Sequence, residues 1–352
     1  KKFKENTDLL KELKKFQNNG TYEFIIYNTL RSYNDLFKNR ILKIDKKKEF
    51  GNLSNINEAF QSCYLSKPET NLRFAKLINS KDGDYSRYLF FYINYLINNK
   101  EIDRAKQISK TIDELRSNLL ISQSKSWIKN SSFDKFNKIF SCKKESHLLS
   151  EFFFIISNFL SSQEEYEKSN FYLYLSNYLN PNFHFNLAHL VENYFDNKNY
   201  DLANKILKNF KNDNEVYYWY RLKKNSQIIS NQQSKERSLT FIEKKFKEFS
   251  NPSVKILFDL GNIYKSNKEF KKSINFYSLV LSKLSENSEA YADVLHRRGG
   301  SYERIGDNIN SDKDLIKSLL IKPDDPYVMN YLAYSWLERK YKIDEAIEML
   351  EK

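Results

Sequence analysis

The residues of this 352-residue chain with the means to do chemistry are few: four histidines, two cysteines and a scatter of carboxylates and serines. The histidines are His147, His184, His189 and His296. His184 and His189 are five apart, so they do not share a helical face. No HExxH pattern and no Cys/His cluster occurs, so no metal site is expected, and the histidines read as surface or turn residues. Cys63 and Cys142 lack the spacing of metal ligands. Each sits in a helical apolar pattern, which makes buried free thiols the default and a disulfide the alternative. Two cysteines leave the redox compartment unread. Gly299 and Gly300 do not follow a strand, so they are not a phosphate loop. The pairs Glu164–Glu165 and Asp324–Asp325 fall in turns, and no local spacing forces two carboxylates across a cleft. No serine lies in a GxSxG elbow. The expectation is no enzyme: no catalytic residue, no cofactor and no metal.

Binding is what remains, and binding needs elements that present a surface. From Ser253 the chain reads SVKILFDLGNIYKSNKEFKKSINFYSLVLSKL. Leu257, Leu260, Gly261 and Tyr264 recur at three- and four-residue steps and share one helical face. SNKEF is a turn, and Ser273, Tyr277 and Val280 mark a second helix. Gly261 and Ser273 are small where the two helices must approach. The same order returns at Leu295, Gly299, Tyr302, Ser311 and Leu315, closed by Pro323. It returns again from Pro326, with Met329, Leu332, Ala333 and Trp336, then Ala346 and Leu350 one residue late. This pattern resembles the tetratricopeptide repeat (TPR) family, whose unit of about 34 residues is a helix–turn–helix. The resemblance implies an all-α fold, a right-handed superhelical solenoid of antiparallel helix pairs. No pair buries its apolar stripe alone, so the pairs must stack.

Earlier units are less regular. The small sites fall at Ala59, Ala105, Phe136, Ser169, Ala203, Arg237, Ser273, Ser311 and Ala346, the last seven spaced 33 to 38 residues apart. Phe136 is too large for its site and Arg237 is not small. Residues 1–84 read as an irregular helical region with one degenerate repeat, 85–252 as degenerate repeats, and 253–352 as clear repeats with the last truncated. KKFKENTDLLKELKKF opens the chain as a short amphipathic helix, Asn18-Asn19-Gly20 is a turn, and Lys81-Asp82-Gly83-Asp84 is another. The start at Lys1 implies an upstream segment, and the stop inside a helix implies that the natural chain continues.

Composition narrows the partner. The net charge is +13, which favours an acidic partner or proximity to anionic lipid. The basic residues are mostly Lys spread over many helices, without a zinc finger, an RNP-like strand or an Arg stripe, so nucleic acid is not the expected partner. The 27 Phe and 25 Tyr fall at core repeat positions and need no ligand to explain them. No apolar run is long enough to span a membrane, which leaves only peripheral membrane association open.

The resemblance also implies where a partner would lie. In TPR proteins, positions 2, 5, 9 and 12 of the first helix line a concave wall. Carried onto this chain, these include Glu151, Phe154, Asn158 and Ser161, then Phe185, Ala188, Glu192 and Phe195. Next come Lys255, Phe258, Asn262 and Lys265, then Asp293, His296, Gly300 and Glu303, and last Tyr327, Asn330, Tyr334 and Leu337. Rings bury apolar area and amides satisfy backbone groups, which suits an extended peptide or a partner helix. Some TPR proteins clamp a C-terminal carboxylate with Lys at position 5 and Asn at position 9. Asn262 matches, but Phe258 stands where that Lys would be, so the full clamp is absent. The RRG, SYER and NYLAYSWLER segments resemble large proteobacterial TPR proteins of the exported or lipoprotein adaptor type. That resemblance implies a periplasmic or outer-membrane-associated adaptor, with the cytoplasm as the alternative. The function expected is a non-catalytic interaction scaffold; the alternative is a structural subunit of a cell-envelope assembly anchored by a missing N-terminus.

Overall fold

The computed structural model describes residues 21–42, 52–79 and 86–352. The expected amphipathic helix before Asn18, the Asn18-Asn19-Gly20 turn and the Lys81–Asp84 turn lie outside the described residues. All regular structure among the described residues is helical. Three helices come first: α1 (Thr21–Asn39), α2 (Leu53–Leu65) and α3 (Thr70–Ile78). Helix pairs follow: α4 (Tyr88–Asn98) with α5 (Ile102–Lys110), α6 (Leu119–Lys129) with α7 (Asp134–Ile139), α8 (Glu145–Ser162) with α9 (Tyr166–Leu179), and α10 (His184–Asp196) with α11 (Tyr200–Leu207). Four more complete the chain: α12 (Glu215–Gln232) with α13 (Lys235–Phe246), α14 (Val254–Ser266) with α15 (Phe270–Leu281), α16 (Glu289–Arg304) with α17 (Asn308–Ile321), and α18 (Pro326–Glu338) with α19 (Ile343–Glu351).

The chain forms two compact units. One comprises the described residues of Lys1–Ile112 with Asn118–Tyr217; the other comprises Asp113–Ser117 with Tyr218–Lys352. Within each, the architecture is an all-α, TPR-like stack of helix pairs, each helix packing mainly on its neighbours in sequence.

The small sites do more than save space. Ser169 Oγ donates to the Ser157 carbonyl at 2.8 Å, so the second helix of that pair is pinned to the backbone of the first. Ser238 Oγ makes the same bond to Ser226 O at 2.7 Å. The expected small site at Arg237 is therefore corrected by one residue: Arg237 is exposed, Ser238 is buried, and Ile242 rather than Phe241 reaches the core. The serine wins because it alone fits against helix α12 and finds an acceptor there. In α19 Ala346 takes the small site as expected, while Leu350 stays exposed and Met349 packs inward. Gly261 shows the constraint most sharply. A Cβ there would lie 2.6 Å from Tyr277 Cε1. In the first unit, where small residues fail, rings fill the space: Phe136 is fully buried and packs edge-on to Trp127 at 5.1 Å.

Seven of the eight turns inside the pairs share one device that the sequence hides. Lys100, Ser131, Glu164, Lys198, Lys268 and Lys340 all adopt positive φ, as does Gly306. In each, the next amide reaches back five residues, as Glu269 N does to Tyr264 O at 2.9 Å. These are Schellman closures, which normally favour glycine.

Cys63 and Cys142 form a disulfide across 79 residues, with Cα atoms 5.9 Å apart. The default expectation of free thiols is thus overturned. α2 brings Cys63 to the loop before α8, and Lys143 Nζ beside it donates to the Tyr64 carbonyl at 3.0 Å, closing the end of α2.

Two substitutions test this account by urea unfolding. Gly261→Ala forces its methyl into the Tyr277 ring and is expected to cost about 1–3 kcal/mol. Lys268→Gly relieves a left-handed residue and is expected to stabilise by about 1 kcal/mol.

Candidate functional site

The second unit gathers several sequence-predicted wall residues into one cluster across α14, α16 and α18. Asn262 Oδ1 accepts from Tyr277 Oη at 2.7 Å and from Arg297 Nη1 at 3.3 Å. The Arg297 guanidinium lies 5.3 Å from the centre of the Phe258 ring, which is itself buried. Lys265 Nζ donates to the Arg297 carbonyl at 3.3 Å. Gly300 makes room for it: a Cβ there would lie 3.0 Å from Lys265 Nζ and 3.2 Å from Tyr331 Oη. Tyr331 in turn donates to Glu303 Oε2 at 2.7 Å and meets the His296 ring edge-on at 5.9 Å. So Asn262, Lys265, His296 and Glu303 are neighbours, whereas Phe258, expected on the wall, is a core residue beneath the Arg297 guanidinium.

Cations outweigh anions here. Burial pushes the Lys265 ammonium down to about 8, and Arg297 and Arg304 push the same way against Glu303. Glu303 is already engaged, by Tyr331 and by Arg304 at 3.6 Å. His296 is also pushed down, by burial first and then by Lys265. Lys265 is thus a half-buried cation whose polar contact is a backbone carbonyl. An incoming carboxylate would relieve it, because opposite charge favours the protonated form. The half-buried rings of His296 and Tyr331 lie beside it, and Asn262 supplies an amide.

Other predicted residues are placed differently. Lys255 Nζ donates to the Leu115 carbonyl at 2.6 Å and holds the Asp113–Ser117 segment of its own unit. Tyr327, Asn330 and Tyr334 are exposed on α18, the tyrosines at 79% and 58%, and form no part of the Lys265 cluster. In the first unit Asn158 is exposed, Glu192 is half-buried, and Phe195 rests on Tyr200 at 5.5 Å.

Glu151 and Phe154, in wall register on α8, are core residues. Both are buried. Arg87 Nη2 donates to Glu151 Oε2 at 2.7 Å, and its guanidinium sits 4.0 Å from the Phe154 ring centre. Burial raises the Glu151 carboxyl while Arg87 opposes it. A paired charge in an aromatic box holds helices together but leaves nothing for a ligand.

The histidines depart from the surface reading. His147 is buried and accepts from Ser141 N–H at 3.0 Å through Nδ1. Burial holds both His147 and His189 down at about 4. Among the described residues no group of His, Cys, Asp or Glu is placed to hold a metal ion, and no helix is long and apolar enough to cross a membrane.

Sequence reasoning missed two members of the cluster. Tyr331 lies outside the four wall positions of its repeat, and Arg304 lies beyond the last of them. Both act through reach: long side chains cross to the neighbouring pair, which a position count does not register.

No protein-family model matches the chain, and no curated protein matches it. Among solved structures it is similar to the APC/C hetero-tetramer Cut9-Hcn1, at 14% identity over 97% of this chain and 70% of that one, with a TM-score of 0.42. It is also similar to the TPR domain of P58(IPK), at 13% identity over 97% and 90% of the two chains, with a TM-score of 0.26.

The Lys265 environment has a sign that can be measured. Unfolded, its ammonium keeps the ordinary value of 10.5; folded, it releases its proton near 8. Across that window the unfolded chain binds the extra proton, so this group makes stability rise with pH from about 8 to 10.5. Titration of the Lys265 Cε resonance should show a midpoint near 8, moved upward in Arg297→Ala. A midpoint at the ordinary lysine value would contradict the burial argument.

Proposed function

We propose that this chain is a non-catalytic interaction scaffold, or adaptor, that binds an acidic segment of a partner protein on the wall formed by α14, α16 and α18. The observation that carries this is Lys265. It is a cation depressed by burial and by two arginines, beside exposed Arg297 and next to aromatic surface. A carboxylate docking there forms charge-assisted hydrogen bonds and restores the proton to the amine. His296 and Tyr331 supply flat surface for an apolar residue next to that carboxylate, and Asn262 offers its amide to a peptide backbone. The exposed Tyr327 and Tyr334 extend the aromatic surface along α18. The absence of a Lys at Phe258 sets this arrangement apart from the two-point clamp of position 5 and position 9.

The second part of the proposal is location. The Cys63–Cys142 disulfide supports an oxidising compartment. The segment resemblance to exported proteobacterial adaptors favours the periplasm. There the chain would serve as an adaptor, or as a structural subunit of an envelope assembly.

Selection of a displayed random-peptide library on the purified protein tests the wall directly. Enriched peptides should combine Asp or Glu with an apolar residue. Their affinity should fall at least about tenfold in Asn262→Ala/Lys265→Ala/Arg297→Ala, the loss typical of truncating charge-assisted contacts, and should fall as pH rises through 8. Neutral or basic consensus peptides, or affinity indifferent to the triple substitution, would overturn the reading. Thiol counting on protein isolated from its native cells, with no free thiol until reductant is added, checks the compartment.

A further inference from the structure

A second surface in the first unit has the form of a docking groove. It is a cleft of about 870 Å³ between α9, α10 and α11. Pro181, Leu187, Leu190 and Ile206 contribute its apolar lining, Leu190 and Ile206 from the buried core behind it. Leu202 and Tyr174 stand at the lip, 37% and 50% exposed. Tyr174 also belongs to a stripe with Phe171 and Tyr178, exposed at 59% and 83%, one face of α9 turned to water. Clustered rings and leucine at the mouth of a cleft are costly to leave hydrated and mark contact sites more than scattered apolar residues do.

Two further features say what fits. Lys205, Lys208 and Lys211 line the same cleft. All three are exposed, and among the described residues none of them meets a carboxylate. Lys205 lies in the last turn of α11 and Lys208 directly follows its last residue, so both stand at the end of that helix on the cleft. Asp213 is the one acidic residue of the lining. In addition, Asn177 Oδ1 is buried in the lining without a hydrogen-bond partner. A buried acceptor left unpaired costs free energy that an incoming donor would recover.

From these we propose that the α9–α11 cleft is a second docking site, for an acidic amphipathic helix of a partner protein. Its apolar edge would lie on Leu187, Leu202 and Tyr174, its carboxylates would face the three lysines, and a donor at its end would meet Asn177 Oδ1. A helix fits because it can set an apolar stripe beside a row of carboxylates, matching a lining of leucines and exposed lysines. The lining includes none of the wall positions Phe185, Ala188, Glu192 and Phe195 of α10, so the site stands or falls independently of the wall.

The test uses the full chain and a fluorescein-labelled synthetic helix of about four turns, with Leu on one face and Glu on its flank. Lys205→Glu/Lys208→Glu is expected to weaken binding at least about tenfold and to flatten its salt dependence. Leu202→Asp should weaken it similarly, and a peptide with Gln in place of Glu should bind poorly. Lys268→Glu/Lys271→Glu, a reversal of two exposed lysines in the second unit, controls for the protein's overall positive charge. Equal loss in that control, undiminished binding in Lys205→Glu/Lys208→Glu, equal binding of the Gln peptide, or no binding of the Glu peptide would each overturn the proposal. Circular dichroism of each variant separates loss of binding from loss of fold.

Discussion

The structure depends on how closely the two helices of a pair approach. At Gly261 the Tyr277 ring occupies the place a side chain would take. At Ser169 and Ser238 a hydroxyl fits where only a small residue can and bonds the backbone across the gap. This contact fixes the register of each pair. Register decides which residues of the first helix face the core and which face outward. A shift of one residue would turn Asn262 and Lys265 off the wall and carry Leu257 or Leu260 toward water, with the loss of burial worth roughly 1.5–3 kcal/mol per side chain. The wall is therefore a by-product of packing, and its chemistry is whatever residues fall in the outward register.

The same register serves opposite ends in the two units. In the second, outward positions bring Lys265, Arg297 and Glu303 together with too little negative charge. In the first, Glu151 occupies the equivalent register but meets Arg87 inside a ring of aromatic side chains. One site keeps a cation with unmet demand; the other satisfies its charges internally. Removing one partner of the Arg87–Glu151 pair would strand a buried charge, at a cost of about 3–5 kcal/mol, which is why that pair belongs to stability and not to recognition. The unit in which Phe136 stands in place of a small residue also carries the disulfide, which holds α2 to the loop before α8 by a covalent link.

Much of this was legible in the sequence, and the remainder was hidden for identifiable reasons. The three- and four-residue steps of apolar residues and the small sites at Ser169, Ala203, Ser273 and Ser311 announced the helix pairs, because burial imposes periodicity. Arg237 misled by one position because the period alone cannot see which neighbour is a serine with an acceptor opposite. The positive-φ turns were invisible because Lys, Glu and Ser stand where glycine is the usual signal. Of the wall cluster, Asn262, Lys265, His296 and Glu303 follow repeat position, while Phe258, in the same register, turned into the core. Tyr331 and Arg304 were not, since their contribution comes from side-chain length across neighbouring pairs. The disulfide joins residues 79 apart, a separation that no local pattern encodes.

The most direct test of the central claim is competitive lysine acetylation read by mass spectrometry, with and without an acidic peptide selected on the protein. The account predicts that Lys265 becomes protected when the peptide is bound, while Lys268 and Lys271, exposed at and just beyond the adjoining turn, keep their reactivity. Unchanged labelling of Lys265 together with protection of those turn lysines would place the partner elsewhere and contradict the wall as the binding surface.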